Sequence, residues 1–123
     1  MTVVRVLLVD DQEPFLRAMS AVVEETSGFE VVGEAGSGEE SLLAGAELCP
    51  DLVLMDVNLP GVDGLEATRR LLECPSPPVV LLLSTYDEDA GAHFVAECGA
   101  AAYVTKSAFS PDRLLAVWTA ASA

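Results

Sequence analysis

The chain has 123 residues, a length that fits one domain with a proper hydrophobic core, so residues 1–123 are predicted to form a single domain. Hydrophobic residues make up 51% of the chain, but no apolar run approaches the roughly 20 residues that a membrane span needs, which excludes a membrane protein. The formal net charge is −14, from 20 acidic and 6 basic residues, and the resulting field repels nucleic acid and anionic membranes.

The N-terminal residues 1–5 lead directly into a strand pattern and lack the layout of a signal peptide, which indicates a cytoplasmic protein. The three cysteines, Cys49, Cys74 and Cys98, are widely spaced and match no zinc or CxxC pattern. We therefore expect them to be reduced and to serve as packing residues.

The first strand pattern covers residues 3–9, which are nearly all apolar, and it runs directly into Asp10 and Asp11. Pro14 suits the first turn of the helix that follows, and apolar residues at helical spacing continue this helix until Gly28 ends it. Two carboxylates are therefore predicted at the carboxyl end of the first strand.

A second strand of mixed polarity covers residues 30–35, and the Ser-x-x-Glu pattern of residues 37–40 is a capping box that opens the second helix. The third strand, residues 52–55, is apolar without alternation, which is typical of a strand covered on both faces in a parallel sheet. Asp56 follows it directly, before a Pro-Gly turn. An aspartate here often only ends a strand or caps a helix, but ligand sites of open α/β sheets lie just beyond the carboxyl ends of strands.

Asp63 is predicted to cap the third helix. The fourth strand, residues 79–83, ends at Ser84, and the acidic residues 87–89 start the fourth helix. Gly91 within that helix costs about 1 kcal/mol relative to alanine, so we expect this helix to be the least stable one.

The last strand, residues 101–105, ends at Lys106, and residues 110–112 cap the last helix. The single histidine, His93, is expected on the surface of the fourth helix. Trp118 is expected to face inward, because an amphipathic last helix usually packs its aromatic residue against the core.

Five strand–helix repeats predict an α/β fold with a doubly wound parallel sheet, right-handed crossovers and helices on both faces. The first, third and fourth strands are continuously apolar and should be central, which favours the order 2-1-3-4-5. In this order the direction in which strands are added to the sheet reverses between strands one and three. Asp10, Asp11 and Asp56 are predicted to meet in the crevice at this point. Ser84 and Lys106 end neighbouring strands on the same rim.

Three carboxylates in one crevice raise one another's pKa, and a divalent cation relieves this repulsion. Carboxylates are hard oxygen ligands of the kind that Mg²⁺ prefers, whereas His93 lies far from this rim and no cysteine is in it, which argues against zinc. Lys106 as a point charge and Ser84 as a hydroxyl donor complete a phosphate site. An aspartate carboxylate can itself act as the nucleophile and form an acyl phosphate.

On these residues the chain resembles the receiver domain of two-component response regulators, which has a flavodoxin-like fold, over essentially its whole length. The matching residues are Asp10 and Asp11, Asp56 within Met-Asp-Val-Asn-Leu-Pro-Gly, Ser84, and Lys106 after Gly-Ala-Ala-Ala-Tyr-Val-Thr. Residues 61–68 are similar to the subfamily whose receivers precede a LuxR/NarL-type helix-turn-helix domain that binds DNA.

The resemblance implies that a histidine kinase donates a phosphoryl group to Asp56. It implies that Ser84 and Tyr103 reorient after phosphorylation and that Lys106 pairs with the phosphate. The residues that it assigns to Mg²⁺ are Asp11, Asp56, the backbone carbonyl of Asn58, and Asp10 acting largely through water.

Two features depart from the family pattern. Many receivers have a proline in a cis bond after the lysine, whereas Ser107 follows Lys106 here. Nothing follows the last helix, so we expect the effector domain to be absent, either because the chain is truncated or because the receiver stands alone. The resemblance implies transcriptional control through residues beyond Ala123, with a homodimer formed on phosphorylation. The six scattered basic residues and the acidic charge predict that this chain itself binds no DNA.

Two alternatives stay open at this stage. A Mg²⁺-dependent phosphohydrolase of haloacid-dehalogenase type also uses an aspartate after an apolar strand, but it needs a second aspartate where this chain has Asn58. An interaction domain that works without phosphorylation would tolerate the loss of site residues, whereas here the set is intact. The leading hypothesis is a signalling module that is no enzyme beyond its own phosphorylation and dephosphorylation.

Overall fold

Five strands and five α-helices alternate along residues 2–122, the part of the chain that the computed structural model describes. The strands are β1 (Val4–Val9), β2 (Phe29–Ala35), β3 (Leu52–Asp56), β4 (Val79–Ser84) and β5 (Ala102–Thr105). The α-helices are α1 (Glu13–Glu25), α2 (Gly38–Leu48), α3 (Gly64–Leu72), α4 (Glu88–Cys98) and α5 (Pro111–Ala121). All neighbouring strands pair in parallel in the order β2-β1-β3-β4-β5, which confirms the predicted doubly wound α/β fold.

Alternate residues of β1 show why the central strands are apolar throughout. Val6 and Leu8 pack in the layer formed with α1 and α5, whereas Leu7 and Val9 pack in the layer formed with α2, α3 and α4. All four side chains are fully shielded from solvent. Since burying one such side chain contributes about 1.5–3 kcal/mol, these two layers hold the strand ends, and thus the rim of the sheet, in place.

Most helices begin at the side chains that the sequence indicates. In each case an oxygen of the N-cap residue accepts a hydrogen bond from the backbone N–H three residues later, an interaction worth about 1 kcal/mol. The four capping residues are Ser37, Asp63, Asp87 and Ser110. Helix α1 starts differently, with no side-chain cap at Gln12 and with Pro14 in its first turn, as predicted.

Gly91 has a packing role that the sequence does not indicate. It is buried, and a Cβ atom at this position would overlap the ring of Tyr103 on β5. The same ring makes an edge contact with Phe94, and the Tyr103 hydroxyl donates a hydrogen bond to the carbonyl oxygen of Tyr86 at 2.6 Å. The missing side chain of Gly91 therefore lets α4 pack closely against Tyr103 on β5, although glycine also lowers the intrinsic helix propensity.

The expectation that all three cysteines are packing residues is correct only for Cys98, which is buried. Cys49 is the exposed C-cap of α2 with φ 47°, and Cys74 lies exposed just beyond the end of α3, so both side chains are at helix ends rather than in a core layer. His93 is exposed, as expected, and Trp118 packs edge-on against Phe29 with ring centroids 6.2 Å apart. Within residues 2–122, the helices are too short or too polar to cross a bilayer.

Candidate functional site

The carboxyl ends of the strands bring the predicted site residues into one cleft. Asp10 follows β1, Asp56 ends β3, Ser84 ends β4 and Lys106 follows β5. The pairing of Val9 with Met55 places Asp10 and Asp56 side by side. One carboxylate oxygen from each of these two residues and from Asp11 lies within 4.8 Å of the others. Parallel pairing thus converts strand-end positions far apart in sequence into neighbours.

The cleft has a volume of about 280 Å³, and its walls include Asp11, Asn58 and Ser84. Asp11 is the exposed carboxylate of the three, while Asp10 and Asp56 are only 0% and 4% exposed. Local hydrogen bonds orient both buried groups. The backbone N–H of Gln12 donates to Asp10 Oδ1 at 2.9 Å, and that of Asn58 donates to Asp56 Oδ1 at 3.3 Å.

Lys106 lies between the two buried carboxylates. Its Nζ is 2.8 Å from Asp10 Oδ2 and 3.5 Å from Asp56 Oδ2, and its side chain is 11% exposed. The short contact with Asp10 Oδ2 is an ion pair that is not aligned as a hydrogen bond, so this buried oxygen has no aligned donor among the described residues. Three carboxylates face one ammonium group, which leaves the ionised site with an excess of negative charge.

The electrostatics of the cleft raise the pKa of Asp56 from 3.8 to about 6. Burial is the largest cause, because it removes water from the charged form, and the negative charge of Asp10 adds to it. The Lys106 ammonium and the Asn58 N–H act in the opposite direction. Asp56 is therefore ionised at neutral pH but at a cost that any additional cation would reduce.

The donor set fits a hard divalent cation. It consists of three carboxylate oxygens within 4.8 Å of one another, beside a single ammonium group, so that negative charge is in excess. Mg²⁺ prefers such oxygen ligands and keeps several waters when it binds. The cysteines lie elsewhere, and the cleft lining contains no nitrogen ligand from histidine.

Two site residues were not found from the sequence. The ring centroid of Phe15 lies 3.6 Å from Lys106 Nζ, and the Tyr86 hydroxyl donates to Asn58 Oδ1 at 3.2 Å. Phe15 lies in the first turn of α1, the helix that begins just after Asp10 and Asp11, and this position is the signal that could have placed it near the cleft. Tyr103 contacts Tyr86 rather than the carboxylates.

The peptide bond after Lys106 is trans, since the described residues contain no cis peptide bond. Residues Lys106–Ala108 form a short 3₁₀ turn before α5, an element that the sequence did not predict. In this turn Ser107 stands where many receivers have proline, and its hydroxyl lies 3.4 Å from that of Thr105.

A parallel five-stranded α/β sheet with an acidic triad, a hydroxyl and a lysine at its carboxyl edge is the architecture of a receiver domain. The chain belongs to the response regulator receiver domain family, whose family model matches residues 6–119. This places it among the signalling domains of two-component systems rather than among classical enzymes, and the phosphohydrolase alternative is not favoured.

Relatives with known names agree with this assignment. Response regulator GacA of Pseudomonas viridiflava is 41% identical over 114 residues, which cover 93% of this chain and 53% of that protein. The transcriptional regulatory protein LiaR of Bacillus subtilis is 38% identical over 104 residues, 85% of this chain and 49% of that protein. The chain thus spans about half the length of these curated relatives.

Solved structures show the same likeness. The signal receiver domain of the response regulator NarL from Mycobacterium tuberculosis superposes with a TM-score of 0.88 at 30% identity, and the match covers 99% of this chain and 98% of that one. A two-component response regulator of the LuxR family from Aurantimonas sp. SI85-9A1 has a TM-score of 0.85 at 34% identity, covering 97% of this chain and 84% of that one. The predicted similarity to the LuxR/NarL group is confirmed.

Proposed function

We propose that Asp56 is the phosphoryl acceptor of this receiver and that a histidine kinase is its physiological donor. The observation that carries the proposal is the placement of Asp56 at the end of β3, with the Asp10 and Asp11 carboxylates within 4.8 Å and Lys106 Nζ at 3.5 Å. A nucleophilic carboxylate beside a cation site and a fixed ammonium group is the arrangement that phosphoryl transfer needs. Residues 1–123 as one domain and a cytoplasmic location remain predictions.

Mg²⁺ is part of the proposal. Asp11, Asp56 and the backbone carbonyl of Asn58 would hold it, with Asp10 acting largely through water. When bound, the cation neutralises the acidic cluster and shares the charge of the phosphoryl oxygens. The complete burial of Asp10 supports its more distant role, while the exposure of Asp11 suits a ligand at the entrance.

The chain's own residues have separate tasks in the transfer. A carboxylate oxygen of Asp56 attacks phosphorus, the bond from phosphorus to the donor breaks, and the donor leaves with that electron pair. Lys106, now shared between two carboxylates, exchanges one of them for a phosphoryl oxygen. The hydroxyl of Ser84, at the end of the strand next to β3, donates a hydrogen bond to another phosphoryl oxygen.

The proposed acceptor is tested with acetyl phosphate, Mg²⁺ and intact mass measurement. We expect the wild-type chain to gain the mass of one phosphoryl group and Asp56→Asn to gain none. Asp89→Asn, on the exposed first turn of α4, is the matched control and should be labelled like the wild type. Labelling of Asp56→Asn, or of another residue in the wild type, would contradict the assignment.

We further propose that phosphorylation acts through a partner or an attached effector domain that controls transcription, with a homodimer as the active form. The relatives are about twice as long as the aligned region, and the charge of −14 opposes contact between this chain and DNA. Tight binding of duplex DNA by residues 1–123 in a gel shift at low salt would contradict this. Light scattering should show a rise in mass with the phosphodonor, whereas an unchanged monomer would favour release of an inhibited effector.

A further inference from the structure

Lys106 has a third neighbour besides its two carboxylates. Phe15 lies in the first half of α1, and its ring centroid is 3.6 Å from Lys106 Nζ. The ammonium group is thereby contacted by Asp10, Asp56 and the face of an aromatic ring, and only 11% of the lysine side chain is exposed. Such a contact lies well within the 6 Å over which a cation is attracted to a ring face.

Besides the acidic cleft, the Phe15 ring borders a second, mainly apolar cavity. Phe15, Met19, Leu83 and Phe109 line a small cavity of about 50 Å³ next to Lys106. The side chains that line this cavity with Lys106 carry no hydrogen-bond acceptor oxygen. The acceptors of the ammonium group therefore lie on the carboxylate side, where a phosphoryl group would arrive.

A ring face also suits the exchange that Lys106 must make during phosphoryl transfer. A hydrogen bond to a carboxylate is directional, whereas the attraction of a cation to a ring depends on its position over the face and leaves the ammonium protons available to other acceptors. Phe15 can hold Nζ near the acceptor while the oxygen that pairs with it changes. It also limits the rotamers of a flexible side chain, which reduces the entropy lost on binding.

We propose that Phe15 is a positioning residue that holds the Lys106 ammonium at the phosphoacceptor. This inference rests on the proposed function of Asp56. The contact strengths known for a cation over a ring correspond to a loss of roughly 3- to 30-fold in the rate of phosphorylation when the ring is removed. We expect the loss in the chemical step, because the ring contacts Lys106, the residue that pairs with the transferred phosphoryl group.

The test compares Phe15→Leu with Phe15→Trp. Leucine keeps an apolar side chain but has no ring face, whereas tryptophan is the best ring for a cation, and the adjoining cavity offers room for it. The rate of labelling is measured by mass over a range of acetyl phosphate concentrations at saturating Mg²⁺. We expect Phe15→Leu to lower the limiting rate by roughly 3- to 30-fold and Phe15→Trp to stay near the wild type. Calorimetry should show unchanged Mg²⁺ binding in both variants.

Two controls separate positioning from simple packing. Met19→Leu changes the same cavity wall on α1 and should leave the rate unchanged. In a Lys106→Met background, Phe15→Leu should have no further effect, because the group that the ring holds is gone. This second comparison also decides the matter if Phe15→Trp does not fold in a urea titration.

The outcomes distinguish the inference from the proposed function on which it rests. A wild-type chain that acetyl phosphate does not label contradicts the proposed function itself. A labelled wild type with an equally fast Phe15→Leu overturns the role of the ring. A slow Phe15→Leu with an equally slow, folded Phe15→Trp, or the same loss in the Lys106→Met background, assigns Phe15 to packing and overturns it too.

Discussion

The contact between Gly91 on α4 and Tyr103 on β5 predicts that replacing this glycine by alanine destabilises the protein, whereas the same change usually stabilises a helix. At an exposed helix position, replacing glycine by alanine stabilises a protein by about 1 kcal/mol. Here the added methyl group would overlap the Tyr103 ring, so either the helix or the ring must move. We expect Gly91→Ala to lower the free energy of unfolding.

The magnitude follows from the contacts that the ring would give up. The Tyr103 hydroxyl bond to the Tyr86 carbonyl oxygen is worth about 1 kcal/mol, and the edge contact with Phe94 is worth about 0.5–1.5 kcal/mol. The gain in helix propensity offsets about 1 kcal/mol of this loss. The net effect is a destabilisation on the order of 1 kcal/mol. If the ring stays and the helix moves instead, overpacking costs about 1–3 kcal/mol and gives the same sign.

The assay is urea unfolding of a double-mutant cycle followed by far-UV circular dichroism. In a Tyr103→Ala background the overlap is absent, so Gly91→Ala should now stabilise by about 1 kcal/mol, which gives a coupling of about 2 kcal/mol. Ala96→Gly, at an exposed position of the same helix, measures the local propensity and should cost about 1 kcal/mol. Stabilisation by Gly91→Ala in the wild-type background would refute the reasoning.

Three further predictions concern the cleft and its surroundings. Because the pKa of Asp56 is raised from 3.8 to about 6, its contribution to stability is full below pH 3.8 and is lost as the pH rises through 6. In EDTA at pH 7.5, Asp56→Asn should therefore have a higher free energy of unfolding than the wild type, by up to the order of 3 kcal/mol. Below pH 4 the two proteins should differ little. An equal difference at both pH values would show that the charge of Asp56 is not the cause. Asp11→Ala should weaken Mg²⁺ binding at least tenfold in calorimetry, since one hard ligand is lost; unchanged binding would remove Asp11 from the proposed metal site. Finally, phosphorylation should alter amide exchange at Ser84, in α4 and around Tyr103, because new phosphoryl oxygens attract the Ser84 hydroxyl; changes confined to β2 would contradict this route.

The sequence determined the positions of the strands, the helix starts and the strand order. Short, continuously apolar segments that end at turn residues favour strands buried on both faces, and residues such as Ser37 and Asp63 cap helices through local bonds that need no tertiary partner. The cluster of Asp10 and Asp56 could also be predicted, because parallel pairing aligns the carboxyl ends of the strands at one edge of the sheet.

Tertiary packing alone decided what surrounds these groups. Phe15 and Lys106 lie on elements at opposite ends of the chain, and Gly91 meets Tyr103 only where α4 packs on β5. Neither contact follows from periodicity or capping, since each depends on side-chain rotamers and on how closely a helix approaches the sheet. The raised pKa of Asp56 is of the same kind: the sequence placed a carboxylate at the strand end, but burial and the distance to Asp10 set how strongly it holds its proton.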